Sequence, residues 1–324
     1  MIAGLLFSLG ANLLWGLIFI GPLLVPEYPG VLQAAARYVA FGIITLPLSW
    51  FDRNRLFKLL RKDWIEAIKL VLVGNLIYYA CLTNAIQRTG SLISTIIIGT
   101  LPAVLAITAN LSYTTYNKKD KLSWNVLLVG LCFIVFGLIC VNLEELQYTL
   151  NIFSFQEYFS GIILAVVSVI CWTWYALRNA KWLKQHSYST SMTWTIAQGI
   201  VLLPLSFIFY VGICIFFNIV NSDFILPLGP RPKVFILLMF AIGFLCSWVG
   251  TFFWNEASQR LPTVFMGPLI VFETIFGLLY TFIHRKICPS FLTLFGILLL
   301  IVGVVYISST KLFLIKKDER SVKS

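Results

Sequence analysis

The sequence predicts an all-α membrane protein of ten transmembrane helices, arranged as two inverted five-helix repeats with both termini in the cytoplasm. Three observations carry this. Of 324 residues, 59% are hydrophobic and only 11% charged, with a mean hydropathy of +0.90. A soluble domain carries about 25% charged residues, so this chain could not clothe a water-facing surface. The apolar residues fall in long unbroken runs without period-two alternation, which excludes a β-barrel. Finally, the chain resembles itself.

The runs place spans near 2–24, 31–50, 67–87, 91–113, 123–143, 158–181, 190–219, 233–258, 262–283 and 290–310. Ten spans of about 20 residues leave only short connectors. The first run lacks a basic leader and an A-x-A cleavage site, so it reads as a retained helix. Between spans 2 and 3, residues 51–66 mix Leu and Phe with Arg and Lys, as an interfacial segment does. Seven cysteines, odd in number and without a CxxC, suit membrane packing better than disulfides or metal.

Basic residues set the orientation. With the N-terminus inside, sixteen Lys and Arg fall in cytoplasmic connectors and the tail, against five on the other side. Both termini inside requires an even number of spans. The net charge of +11 then belongs to loops facing anionic lipid, and nucleic acid is excluded as a partner.

The repeat is specific. Gly42-Ile43-Ile44-Thr45-Leu46-Pro47-Leu48-Ser49 recurs 157 residues later as Gly199-Ile200-Val201-Leu202-Leu203-Pro204-Leu205-Ser206. Gly4 and Trp15 recur as Gly161 and Trp172 at the same offset. Ala85-Ile86-Gln87-Arg88 recurs as Ala257-Ser258-Gln259-Arg260, at 172, which puts the extra residues near 221–233. Gly130 and Gly137 recur as Gly296 and Gly303. Residues 1–150 and 151–310 are therefore two repeats, followed by a basic tail, 311–324. An odd number of spans per repeat forces the second to insert upside down, as in many secondary transporters.

These residues resemble the drug/metabolite transporter superfamily, in its EamA-like ten-helix branch. The resemblance rests on Leu14-Trp15-Gly16-Leu17-Ile18-Phe19, Ala36-Arg37-Tyr38, Leu101-Pro102-Ala103-Val104, the run from Ala257 through Leu279, and the Gly296–Gly303 helix. The chain has Glu273-Thr274 where the family usually has Glu-Pro, and Tyr116-Asn117-Lys118 and His284-Arg285-Lys286 where an acid often precedes spans 5 and 10. The resemblance implies an inner or plasma membrane transporter of small organic solutes, often an exporter, with a pore lined mainly by spans 1, 3, 4, 6, 8 and 9.

Glu273 falls near the middle of span 9. A bare charge there costs about 3 kcal/mol or more, so it is paired, protonated or facing a wet cavity. It is the candidate coupling residue, with helix packing as the alternative. Arg37, in span 2, could fork onto a carboxylate or phosphate, or pair across helices. Glu256 and Arg260, one turn apart, form a local pair or a gate. Asn12, Trp15 and Phe19 share a face of span 1; Trp172, Tyr175 and Asn179 repeat that spacing on span 6. With Tyr78, Tyr79, Asn84, Trp254 and Asn255 they offer aromatic and amide surface suited to planar or amphipathic solutes. Pro102 and Pro268 are expected to interrupt spans 4 and 9. The glycine pairs two turns apart read as close helix packing.

No metalloprotease, nucleophile-elbow or phosphate-loop pattern occurs, so no catalytic residue, metal or cofactor is assigned. The expected partners are a small-molecule substrate, the bilayer and protons as a candidate coupling ion, in a monomer or homodimer. The function expected is efflux of amino-acid-like, aromatic or amphipathic metabolites or drugs by alternating access. A channel or uniporter, a sugar or nucleotide-sugar transporter of the same fold, and a non-transporting scaffold are the alternatives.

Overall fold

The computed structural model describes residues 2–20, 24–25, 27–112, 123–149, 155–186, 190–220, 224–286 and 288–323. No strand occurs among them. In lipid each backbone N–H and C=O must be satisfied within its own segment, so apolar runs of this length become helices. They are α1 (Ile2–Gly16), α2 (Gly30–Phe51), α3 (Arg53–Leu56), α4 (Arg61–Val71), α5 (Tyr78–Ile98), α6 (Leu101–Ser112), α7 (Trp124–Thr149), α8 (Phe155–Gln185), α9 (Ser191–Ile219), α10 (Pro232–Ile242), α11 (Gly250–Arg260), α12 (Thr263–Arg285) and α13 (Phe291–Lys323). Among the described residues, seven helical segments are long and apolar enough to cross a membrane. Three shorter apolar helices, Ile2–Gly16, Leu101–Leu111 and Phe291–Ile307, fall on the remaining expected spans.

Two boundaries differ from the sequence reading. Residues 51–66 are not one interfacial piece, because the helix restarts at Arg61 and runs straight into the third span. Asp63 fixes that start by accepting the Leu60 N–H at 2.8 Å. The turn expected near 87–91 falls instead at Gly99–Thr100, and Pro102 stands in the first turn of α6 rather than interrupting it. Proline costs nothing there, where its missing N–H would have no intrahelical partner. Pro268 does lie inside α12.

Two wide turns break the rods. Residues Leu72–Ile77, between α4 and α5, and Gly243–Val249, between α10 and α11, are π-helical. They lie at the 172-residue offset of the sequence repeat. Wide turns leave carbonyls free of the regular ladder. Here the Cys246 carbonyl accepts the Trp15 indole N–H at 2.9 Å, and the Cys246 thiol donates to the Leu14 carbonyl at 3.0 Å.

The packing partners are α7 with α13, α5 with α8, α2 with α9, α1 with α11 and α12, and α6 with α12. The α7–α13 seam is made by glycines. A Cβ on Gly137 would meet the Gly296 carbonyl oxygen at 2.7 Å, and one on Gly303 would meet that of Gly130 at 2.7 Å. Only hydrogen fits at such contacts. Large exposed side chains, among them Ile208, Leu237, Phe216 and Ile170, cover the outside. That surface suits lipid, not water.

Candidate functional site

The centre of the bundle holds two charges. Arg37 of α2 is buried, and its guanidinium carbon lies 4.6 Å from the Tyr38 ring centre and 4.9 Å from that of Tyr79. Its Nη2 donates to the Tyr38 hydroxyl at 2.7 Å, while its buried Nε has no hydrogen-bond partner. Stacking on two rings replaces part of the lost hydration by cation–π attraction. Glu273 of α12 is half-buried and stands within electrostatic range of Arg37, Tyr78 and Cys246. The two ionisable groups therefore face one region from opposite halves of the sequence.

Beside them is an aromatic wall. Trp15 lies 6.3 Å from Trp172 and 5.2 Å from Trp254, and Trp172 lies 5.5 Å from Trp254. Gly250 allows this, since a Cβ there would strike the Trp15 indole nitrogen at 2.6 Å. The Trp254 Nε1, Ser247 Oγ and Asn12 Oδ1 are buried without hydrogen-bond partners. Unmatched polar groups of this kind cost about 1–3 kcal/mol each. A polar ligand that reached them would recover part of that.

The remaining expected residues separate into groups. Asn12 ties α1 to α12 by donating to the Leu269 carbonyl at 3.0 Å. Tyr78 and Tyr79 are half-buried, with ring centres 6.4 Å apart. Asn84 is half-buried and donates to the Ala80 carbonyl at 2.8 Å. Pro102 is buried, and its carbonyl oxygen would be 2.5 Å from a Cβ on Gly267, so it packs α6 onto α12. Glu256 and Arg260 pair within α11, with the guanidinium 5.1 Å from the Phe7 ring. That is an intrahelical pair, not a bridge between helices. The Phe19 side chain and Tyr116-Asn117-Lys118 lie outside the described residues.

Tyr175 stands at the edge of the aromatic wall, its ring centre 6.3 Å from that of Trp172, and its hydroxyl joins Asn179 and Asn255. They form a buried polar network that sequence reasoning missed. The Asn179 Oδ1 accepts from Trp194 Nε1 at 2.8 Å and Gln198 Nε2 at 2.9 Å, and its Nδ2 donates to Asn255 Oδ1 at 2.7 Å. Asn255 then donates to Thr195 Oγ1 at 2.9 Å, and the Tyr175 hydroxyl donates to Gln198 Oε1 at 3.3 Å. Amides in apolar spans must find one another, and that rule was the signal available in the sequence.

Toward the end that holds α3, contacts join the two halves of the chain. Thr193 donates to Asp52 at 2.5 Å, Trp182 donates to Asp63 at 3.1 Å, and Arg178 pairs with Glu66. Trp182 stacks on Trp194, ring centres 3.4 Å apart, and on His186 at 4.3 Å.

Comparison with known proteins decides the family. The inner membrane protein YtfF of Escherichia coli (strain K12) is 55% identical over 305 residues, which are 94% of each chain. Residues 2–143 match the EamA-like transporter family. The chain belongs to the EamA-like transporter family. It is accordingly a multi-pass protein of the inner (plasma) membrane and a membrane transporter of the drug/metabolite type. An "uncharacterized transporter" of Archaeoglobus fulgidus is 22% identical to this EamA-like chain over 268 residues, 82% of this chain and 83% of that one. A solved crystal structure shares the EamA-like chain's fold at a TM-score of 0.73 and 13% identity, over 97% of this chain and 99% of that one.

Proposed function

We propose that this transporter is an alternating-access carrier that exports small organic solutes of amino-acid-like, aromatic or amphipathic character. It would be built as two inverted repeats, residues 1–150 and 151–310, with both termini and the basic tail in the cytoplasm. The 172-residue offset of the two π turns supports the repeat. So does the pairing scheme, in which α1 on α11 answers α8 on α5, while α2–α9, α6–α12 and α7–α13 are each pairs of repeat equivalents. Export is the direction the family resemblance favours.

The observation that carries the substrate reading is the meeting of Arg37, Glu273 and the tryptophans 15, 172 and 254 in one region. A guanidinium with an unpartnered Nε suits a carboxylate. A carboxylate suits an ammonium or a proton, and the ring wall suits an apolar side chain. The Trp15 edge belongs to the first repeat and Trp172 and Trp254 to the second, so rocking one half against the other would remake the wall.

Glu273→Gln keeps the shape and removes the charge, and transport into proteoliposomes tests it. With one proton coupled, a one-unit pH gradient drives accumulation about tenfold. The variant is expected to lose that accumulation while retaining substrate exchange, which moves no net proton. Normal pH-driven accumulation by Glu273→Gln would remove its coupling role. Parallel loss of every transport mode would assign it to helix packing.

A further inference from the structure

A cavity of about 350 Å³ lies at the α3 end, between α4 of the first half and the end of α8 in the second. Lys62, Asp63, Glu66, Arg178, Lys181 and His186 line it, with Trp182 as an apolar wall. Its two carboxylates are engaged. Glu66 takes two hydrogen bonds from Arg178, and Asp63 takes the N–H groups of Leu60 and Trp182 and faces His186 at 3.4 Å. Lys62, Arg178 and Lys181 outnumber Asp63 and Glu66 in this lining, which leaves it net positive. From that mouth an apolar stripe runs along α4 into the adjoining π turn. Ile65, Ile68 and Leu72 succeed Lys62 at steps of three, three and four, and all three are exposed. Phe57 and Leu60, also exposed, flank it. A charged pocket opening onto a lipid-facing stripe has the two-part shape of a phospholipid.

We infer that this cavity is a phospholipid site, with an anionic headgroup phosphate held by Lys62 and Lys181 and an acyl chain laid along Ile65, Ile68 and Leu72. Basic pockets between transmembrane helices at the cytoplasmic surface recognise phosphate headgroups. The inference rests on the cytoplasmic assignment of this end. The lipid would touch both halves where they meet, beside the Glu66–Arg178 pair.

Native mass spectrometry of the full chain from micelles holding equal phosphatidylglycerol and phosphatidylcholine tests it without any transport assay. The wild type is expected to retain phosphatidylglycerol preferentially. Lys62→Gln with Lys181→Gln should weaken that retention roughly thirtyfold. Arg53→Gln with Lys58→Gln removes the same charge outside the cavity and should leave retention unchanged. Both lysines are exposed, so the fold is not at stake, and a monodisperse elution profile verifies that. Equal retention by wild type and the cavity variant, or equal loss in both variants, would overturn the site. Displacement of the lipid by inorganic phosphate, with matching thermal stabilisation by phosphate alone, would overturn the lipid assignment in favour of a soluble phosphate. Retention reads the site alone, so a failed transport assay leaves this result standing, and a failed retention assay leaves the transport reading standing.

Discussion

The two ends of the bundle are closed by different means. At the α3 end, buried contacts cross between the halves, Asp52 to Thr193, Asp63 to Trp182, and Gly4 against Leu261, with the exposed Glu66–Arg178 pair beside them. Behind them stands the fully buried Asn179–Asn255 network. At the other end, Arg231 pairs with Glu27 across an exposed surface, and Tyr28 takes the Arg231 N–H while donating to the Leu228 carbonyl. Interactions in a dry interior are costly to leave unmatched, whereas an exposed ion pair adds little. The α3 end is thus held by buried polar contacts, and the Glu27 end by an exposed ion pair over a buried apolar cluster in which Tyr28 stacks on Phe235.

Three tests can break or sharpen that contrast. The largest effect is expected from Asn179→Ala. It orphans the Trp194 and Gln198 donors and one Asn255 oxygen, at about 1–3 kcal/mol per group. Melting of the purified variant in detergent should fall by many degrees, and a wild-type melting curve would show that the network does not hold the α3 end.

A middle effect is expected from Glu66→Arg, which sets two cations against each other. Half-exposed pairs are worth on the order of 1 kcal/mol or less. Adding Arg178→Glu restores opposite charges in reversed order. A double-mutant cycle should therefore give a coupling of that size, and additivity of the two changes would mean that the pair does not bridge the halves.

The smallest effect belongs to the Glu27 end. The hydrogen bonds from Arg231 hold the Glu27 carboxyl below its ordinary value of 4.5. A carboxyl lowered on folding stabilises the protein above that ordinary value and loses the contribution as pH falls through its own lowered one. Glu27→Gln should accordingly melt slightly below wild type at neutral pH, with the difference vanishing in acid and shrinking in salt. A difference that grows as pH falls would reverse the assignment.

Much of the fold was legible, because hydropathy and the cost of unpaired backbone in lipid act on every span alike. Arg37 and Glu273 were legible for the same reason, since charges deep in apolar runs are too costly to be idle. The glycine seam showed in the seven-residue spacing of Gly130/Gly137 and Gly296/Gly303. Long-range partnerships were not legible. Nothing near Asp63 in the sequence names Trp182, and nothing near Asp52 names Thr193. The regular helical period put Trp172, Tyr175 and Asn179 on one face; Trp172 and Tyr175 do stand together, while the Asn179 amide turns to the network with Trp194, Gln198 and Asn255. The π turns were invisible because no residue type marks them. Each rotates the helix on its C-terminal side by roughly 100° relative to an unbroken helix, so a face traced through Leu72–Ile77 or Gly243–Val249 emerges pointing elsewhere.

The α7–α13 seam has a mechanical consequence. Glycine backbone meets carbonyl oxygen where Gly137 faces Gly296 and Gly303 faces Gly130, and the side chains of Ile307, Leu300, Ile134 and Val141 close over the same glycines. Backbones held this close, with branched side chains locked around them, leave little room for either helix to slide along the other. In the carrier proposed above, those two helices would serve as the stator, and the parts that move would be the elements that carry Trp15, Trp172, Trp254 and the two central charges.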